Sequence, residues 1–127
     1  MLHHATETRR ARGRANYLSG LAAEDSVERR YTAEGGSVAA RRWRGSRGEI
    51  DLVIRRGDEL IFVEVKKARD FATAAERLGP AQLARICGAA EEFAGGEPLG
   101  SLTPMRVDLA LVNERGETDI IENVTMH

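Results

Sequence analysis

The sequence predicts an α/β domain in which a mixed β-sheet of about five strands is flanked by two long α-helices. An apolar stripe at helical spacing lies within residues 14–34, and two alternating segments, 49–55 and 59–66, are joined by a two-residue turn. A second helical segment then precedes two further strands. The chain has 127 residues, which is the length of one domain.

The elements can be placed in order along the chain. Residues 1–12 are polar and arginine-rich with no hydrophobic period, and we expect a flexible basic arm there and a single domain over 13–127. The remaining predicted elements are a helix over 14–34, strands over 37–43, 49–55 and 59–66, a helical turn over 71–78, a helix over 80–94, and strands over 105–113 and 118–124.

The first predicted helix carries one residue that does not suit its apolar stripe. Leu18, Leu21, Val27 and Tyr31 recur at helical spacing, and Glu24 falls between them. A carboxylate in such a position is costly unless a partner satisfies it. It could pair with an arginine at the edge of the core, or it could belong to a functional site.

The composition excludes several classes of protein. Hydrophobic residues make up 42% and charged residues 31%, as in globular proteins, and no apolar run approaches the length of about 18 to 20 residues that a membrane span needs. The chain has one cysteine and its first residues lack the apolar stretch of a secretory signal. We therefore expect a cytoplasmic protein without a membrane partner.

The positive charge is concentrated in the first part of the chain. Residues 1–47 contain ten arginines against five acids, whereas 48–127 contain nine bases against fifteen acids. Such a basic segment can hold phosphates locally. We expect nucleic-acid contacts from Arg41, Arg42, Arg44 and Arg47; the alternative is a solvated surface that happens to be rich in arginine.

The central hairpin brings two carboxylates together. With a two-residue turn at Gly57-Asp58, Asp51 falls opposite Glu64, and Lys66 stands beside Glu64 on the same face. Facing carboxylates repel each other. A divalent cation such as Mg²⁺ or Mn²⁺, an ion pair with Lys66, or a bound proton could each offset that repulsion.

A metal at this position would support one kind of chemistry. Mg²⁺ or Mn²⁺ held by Asp51, Glu64 and the backbone carbonyl of Val65 would polarise a phosphate oxygen and lower the pKa of a bound water. Lys66 could orient that water or stabilise the charge that grows on the phosphate. These groups would together hydrolyse a phosphodiester bond.

The two hairpin strands also carry a family resemblance. Gly48-Glu-Ile-Asp-Leu52 and Phe62-Val-Glu-Val-Lys66 resemble the bacterial YraN-like family, which is similar to the restriction-endonuclease-like PD-(D/E)XK superfamily and to archaeal Holliday junction resolvases. The resemblance covers residues 18–124. It implies that Asp51 and Glu64 bind the metal and that Lys66 is catalytic.

The resemblance carries further implications and two departures. It implies that Glu24 supports the metal site and that the protein is a homodimer, since two cuts in a branched substrate need two sites related by a two-fold axis. The superfamily's proline before the first acid is replaced by Ile50, and Gln82 stands where related proteins often have lysine. Gln82 could contact water or phosphate, or it could be a solvated helix residue.

We therefore expect a metal-dependent endonuclease or nuclease-like DNA-binding protein, with branched DNA as a candidate substrate. Two alternatives remain open at this stage. One is a nucleic-acid-binding module that keeps the fold without catalysis, and the other is an interaction scaffold whose acidic residues are structural. Trp43, between two arginines, could stack on a base or close the core at a strand end.

Overall fold

The computed structural model describes the backbone of residues 2–126 and the side chains of residues 11–14 and 18–125. Its elements are α1 (Leu2–Ala33), β1 (Ser37–Arg44), β2 (Glu49–Arg56), β3 (Glu59–Lys67), α2 (Phe71–Glu76), α3 (Pro80–Gly95), β4 (Met105–Val112) and β5 (Thr118–Ile121), with single 3₁₀ turns at Gly100–Leu102 and Val124–Met126.

The five strands form one mixed sheet. Their order is β1-β2-β3-β4-β5, and only β3 and β4 run parallel. The connection through α2 and α3 returns the chain to the end of the sheet at which β3 begins, so β4 runs in the same direction. All other neighbours are antiparallel. The expected α/β architecture with a mixed sheet of five strands is confirmed.

Each face of the sheet packs against a helix. Ala23, Val27 and Tyr31 of α1 cover one face, and Ile86 and Ala89 of α3 cover the other. The apolar residues that alternate along β2 and β3 fill both layers, as expected for a sheet buried on its two faces. None of the helices in residues 2–126 is long and apolar enough to cross a membrane.

The first helix differs from its predicted form at its start. It begins at Leu2 rather than near residue 14, and Leu18, which the stripe placed inside, is 55% exposed. Val27 and Tyr31 are buried as predicted. The backbone of residues 2–12 continues the helix, and a mobile basic arm over this segment stays a prediction.

The central hairpin forms with the predicted register. Arg56 pairs with Glu59 and Arg55 with Leu60, and Gly57 adopts a positive φ of 62° that suits the tight turn. The last pair of the ladder is Leu52 with Val63. The predicted site residues Asp51 and Glu64 lie just beyond this pair.

A buried polar network ties α1 to β4. The Asp108 carboxylate is fully buried and accepts hydrogen bonds from the Tyr31 hydroxyl (2.7 Å), from Arg106 Nε (3.0 Å) and Nη2 (3.2 Å), and from the Asn123 backbone N–H (2.9 Å). Because every donor is in place, this charge is satisfied within the fold. The Arg106–Asp108 segment therefore stabilises the packing of helix on sheet.

Trp43 and Cys87 belong to the core on the α3 side. The Trp43 ring lies edge-on to Phe93, with centroids 5.3 Å apart, and Cys87 packs half-buried in the same cluster. Of the two alternatives for Trp43, the structure shows the core residue rather than a platform for a base.

Candidate active site at the end of the central hairpin

A cleft of about 470 Å³ opens where β3 ends, between α1 and the start of α3. It contains three of the predicted site carboxylates, both lysines of the chain, and Gln82. The full lining is Gly20, Ala23, Glu24, Glu49, Asp51, Glu64, Val65, Lys66, Lys67 and Gln82. The fold thus brings the predicted catalytic residues into one concave surface.

Asp51 lies at the fork, the point beyond the pair Leu52–Val63 where β2 and β3 separate. The ladder stops after Leu52 and Val63, and the Val65 backbone N–H then donates to Asp51 Oδ2 at 2.8 Å. The carboxylate therefore takes the place that a backbone carbonyl of β2 would occupy in a continued ladder. Asp51 comes next to Glu64 in the register, as predicted, but it is not a regular cross-strand partner.

The fork coincides with a break in strand alternation. Ile50 and Val53 both pack in the core on the α3 side, whereas Leu52 packs on the α1 side. A regular strand would place residues 50 and 53 on opposite faces. The chain therefore turns at Asp51, and its carboxylate is directed between the strands rather than simply outward on the face of Val53.

Glu64 is a buried carboxyl group beside Asp51. Its exposed fraction is 6%, and Gln82 Nε2 donates a hydrogen bond to its Oε2 at 3.2 Å. Burial, and then the hydrogen bond and charge of Asp51, raise the pKa of Glu64 well above its ordinary value, although Lys66 opposes the shift. Gln82 contacts Glu64 and is not simply a solvated helix residue.

The backbone of Val65 faces the same fork. In a β-strand the N–H and C=O of one residue point to the same neighbouring strand. Since the Val65 N–H is bonded to Asp51, its carbonyl also points toward the β2 side, where the ladder has ended. This is the orientation that a backbone ligand beside Asp51 and Glu64 requires.

Lys66 lines the cleft two residues after Glu64 on β3. Within the described side chains it forms no ion pair shorter than 4.0 Å, although its charge lies near enough to act on Glu64. The alternative in which Lys66 and Glu64 form a simple structural ion pair is therefore not what the structure shows.

Glu24 lies at the α1 side of the cleft and is held by an arginine. Arg42 Nε donates to Glu24 Oε2 at 3.0 Å, and Arg42 itself has a positive φ of 48° in β1. Partial burial raises the pKa of Glu24, Asp51 adds to this, and the hydrogen bond from Arg42 opposes it. The predicted edge pairing is confirmed, and a supporting role toward a metal stays a prediction.

The other three arginines expected to contact nucleic acid also have carboxylate partners. Arg41 contacts Glu28 through two nitrogens, at 2.6 and 3.1 Å. Arg44 lies 3.0 Å from a Glu49 oxygen, and Arg47 lies 3.6 Å from a Glu91 oxygen. Their predicted phosphate contacts are untested, and these ion pairs would compete with them.

The donor set fits a hard divalent cation bound together with substrate. Over the described part of the chain, no three His, Cys, Asp or Glu side chains converge as a ready-made metal site. Mg²⁺ does not require one, because it is commonly bound by one or two carboxylates, waters and substrate phosphates. Asp51, Glu64 and the Val65 carbonyl offer hard oxygen ligands of this type.

Sequence reasoning missed two residues of the cleft. Glu49 reaches it from the start of β2, and Lys67 reaches it from the end of β3, where Lys67 Nζ donates to the Ser19 hydroxyl of α1. The unusual placement of both lysines side by side is a signal that could have indicated Lys67.

A five-stranded mixed sheet between two helices, with acids and lysine at the fork of its central hairpin, defines a restriction-endonuclease-like α/β domain. The chain matches the model of the uncharacterised protein family UPF0102 over residues 23–112, from the last third of α1 to the end of β4, and it belongs to that family. The resemblance to the YraN-like family is thereby confirmed.

Several relatives match nearly the whole chain. A UPF0102 protein of Ruegeria pomeroyi is 55% identical over 117 residues, which are 92% of this chain and 95% of the relative. One from Cereibacter sphaeroides is 54% identical over 111 residues, 87% of this chain and 95% of the relative. One from a further Ruegeria strain is 47% identical over 122 residues, 96% and 98% of the two chains.

Proposed function

We propose that this protein is a Mg²⁺- or Mn²⁺-dependent endonuclease that hydrolyses phosphodiester bonds in DNA, with branched DNA as the candidate substrate. The proposal is supported by a cleft that combines hard oxygen ligands with two lysines. It is also supported by a fold that resembles nucleases of the restriction-endonuclease-like superfamily.

One observation carries the proposal. Asp51 and Glu64 lie beside each other at the fork, and among residues with described side chains neither forms an ion pair within 4.0 Å. Glu64 is also buried, so its charged form is poorly solvated. A divalent cation would offset both the repulsion and the burial of charge, which without metal only a proton on Glu64 relieves.

Each residue then has a distinct part in the reaction. Asp51, Glu64 and the Val65 carbonyl would hold the metal, which when bound polarises the phosphate and lowers the pKa of a water. The Val65 N–H fixes Asp51, and Gln82 orients Glu64. Lys66, which has no carboxylate partner among the described side chains, is available to orient the attacking water and to stabilise charge on the phosphate.

The partners follow from the same proposal. Arg41, Arg42, Arg44 and Arg47 would exchange their carboxylate partners for phosphates of the DNA backbone. A homodimer would place two clefts on a branched substrate for paired cuts. Such a nuclease would work in the cytoplasm, where the cell keeps its DNA and where a single cysteine stays reduced.

Metal binding and cleavage test the proposal together. Mn²⁺ titration followed by electron paramagnetic resonance should show binding that Asp51→Asn weakens and that Asp119→Asn, an exposed acid of β5, leaves unchanged. Linear, flap and four-way-junction DNA should then be tested for cleavage with wild type beside Lys66→Ala. Binding of DNA without any cleavage would favour the non-catalytic module, and the absence of both metal and DNA binding would favour the scaffold.

A further inference from the structure

The positive charges of the cleft differ in how they are neutralised. Arg42 and Arg44, at its β1 side, are bonded to Glu24 and Glu49, two acids of the cleft lining. Lys67, like Lys66, has no carboxylate within 4.0 Å among the described side chains. The uncompensated positive charge in this cleft therefore comes from lysine and not from the arginine-rich segment.

Lys67 is also held in a definite position. Its side chain is half-buried against α1, its ammonium donates to the Ser19 hydroxyl, and its backbone carbonyl accepts a hydrogen bond from Arg77 Nη1 at 2.8 Å. A hydroxyl can orient an ammonium group without neutralising it. The Lys67 ammonium group therefore keeps its positive charge and has further N–H donors for a ligand in the cleft.

We propose that Lys67 is a second phosphate-binding residue, which holds the DNA phosphate next to the scissile one while Ser19 orients its ammonium group. This inference rests on the proposed nuclease function and gives Lys67 a role that this function alone does not require.

The strand geometry separates the tasks of the two lysines. Successive side chains of β3 point to opposite faces and their Cα atoms are about 3.8 Å apart. Lys66 therefore shares the face of Glu64, whereas Lys67 turns toward α1 and Ser19. Two ammonium groups on opposite sides of the strand end are better placed to bind two successive phosphates than a single phosphate. Lysine binds phosphate as a point charge.

Binding measurements with matched variants test Lys67 directly. A short fluorescein-labelled duplex and a four-way junction are titrated in EDTA over a salt series, and fluorescence anisotropy gives the affinity. Lys67→Gln should weaken binding by about three- to tenfold and reduce the logarithmic salt slope by about 0.9. The matched control, Arg56→Gln, removes a charge at the hairpin end of the sheet and should change neither quantity.

The composition offers a second, independent readout. The chain contains only two lysines, so ¹⁵N-lysine labelling gives two side-chain signals, and Lys66→Gln and Lys67→Gln assign them. The Lys67 ammonium signal should shift when the duplex is added. Ser19→Ala should keep that response but weaken the affinity less than Lys67→Gln does, because the charge remains.

The outcomes separate this inference from the proposed function. If wild type binds DNA while Lys67→Gln matches Arg56→Gln and the Lys67 signal does not move, the role of Lys67 is overturned and the nuclease proposal stands. If wild type binds neither duplex nor junction, and neither lysine signal responds, the DNA-directed function is overturned and the role of Lys67 with it.

Discussion

Replacing Asp51 by Asn should stabilise the metal-free protein at neutral pH while it removes metal binding. The amide oxygen of Asn can still accept the Val65 N–H, which Asp51 Oδ2 accepts at 2.8 Å. The substitution also removes the negative charge that opposes ionisation of the buried Glu64, and the amide nitrogen can donate to the Glu64 carboxylate. The loss of one negative charge is therefore the main effect.

The pH dependence of this effect can be worked out from Glu64. Burial and Asp51 raise its pKa from 4.5 to about 9 in the folded protein. The folded state thus binds this proton more tightly than the unfolded chain, so the stability of the wild type without metal decreases as pH rises above 4.5 toward 9. Near pH 5 the two proteins should differ little.

The size of the gain follows from the part of the shift that Asp51 causes. Each pKa unit corresponds to about 1.4 kcal/mol, and burial, the largest cause, persists in the variant. If Asn lowers this pKa by one to two units, unfolding at pH 8 should cost about 0.4 to 1.4 kcal/mol more than in the wild type, because at pH 8 most of the wild-type Glu64 still holds its proton. Urea denaturation in EDTA at pH 5 and pH 8 measures both values.

Two further variants keep this prediction open to refutation. Asp51→Ala leaves the Val65 N–H without its acceptor and should destabilise the protein by about 1 to 3 kcal/mol. The exposed-site control Asp119→Asn should stay within about 0.5 kcal/mol of the wild type. If Asp51→Asn lowers stability by more than about 1 kcal/mol at both pH values, the carboxylate is already satisfied without metal and the metal-site interpretation is refuted.

Three other predictions concern catalysis, DNA contact and the core. Lys66→Arg should bind Mn²⁺ as the wild type does but lose at least about 100-fold in cleavage rate, since a planar guanidinium cannot replace a compact ammonium; retained turnover would argue against a catalytic lysine. The double variant Arg44→Gln, Arg47→Gln should reduce the logarithmic salt slope of DNA binding by about 1.8 without changing base preference; an unchanged slope would assign both arginines to the solvated surface. Tyr31→Phe removes one donor from the buried Asp108 carboxylate and should cost about 1 to 2 kcal/mol in urea denaturation; unaltered stability would show that this hydrogen bond contributes little.

The hairpin register was predictable because a two-residue turn fixes it residue by residue. Arg56 opposite Glu59 determines that Asp51 comes level with Glu64. Hydrophobic alternation also correctly indicated which elements are strands. The start of α1 was not predictable in this way, because its first turns carry no apolar period.

The fork and the ion pairs lay beyond what the sequence could indicate. A pattern of alternating residues assumes a regular strand, and nothing in the residue types shows that Asp51 will accept a backbone N–H instead of facing its neighbour. The carboxylate partners of the arginines could not be predicted for a different reason. Glu28 belongs to α1 and Glu91 to α3, so these contacts can be identified only once the packing of the helices on the sheet is known.

The hydrogen bond between Val65 and Asp51 makes one amide proton a reporter of the site. Most amides of β3 are bonded to neighbouring backbone carbonyls, whose acceptor strength is constant, whereas this amide is bonded to a group whose charge can be altered by a proton or a cation. Its chemical shift and its exchange rate with solvent should therefore change when a proton or a cation binds at the site, while the signals of neighbouring amides remain unchanged. A ¹⁵N spectrum can follow that single signal during a titration, with no substrate and no turnover.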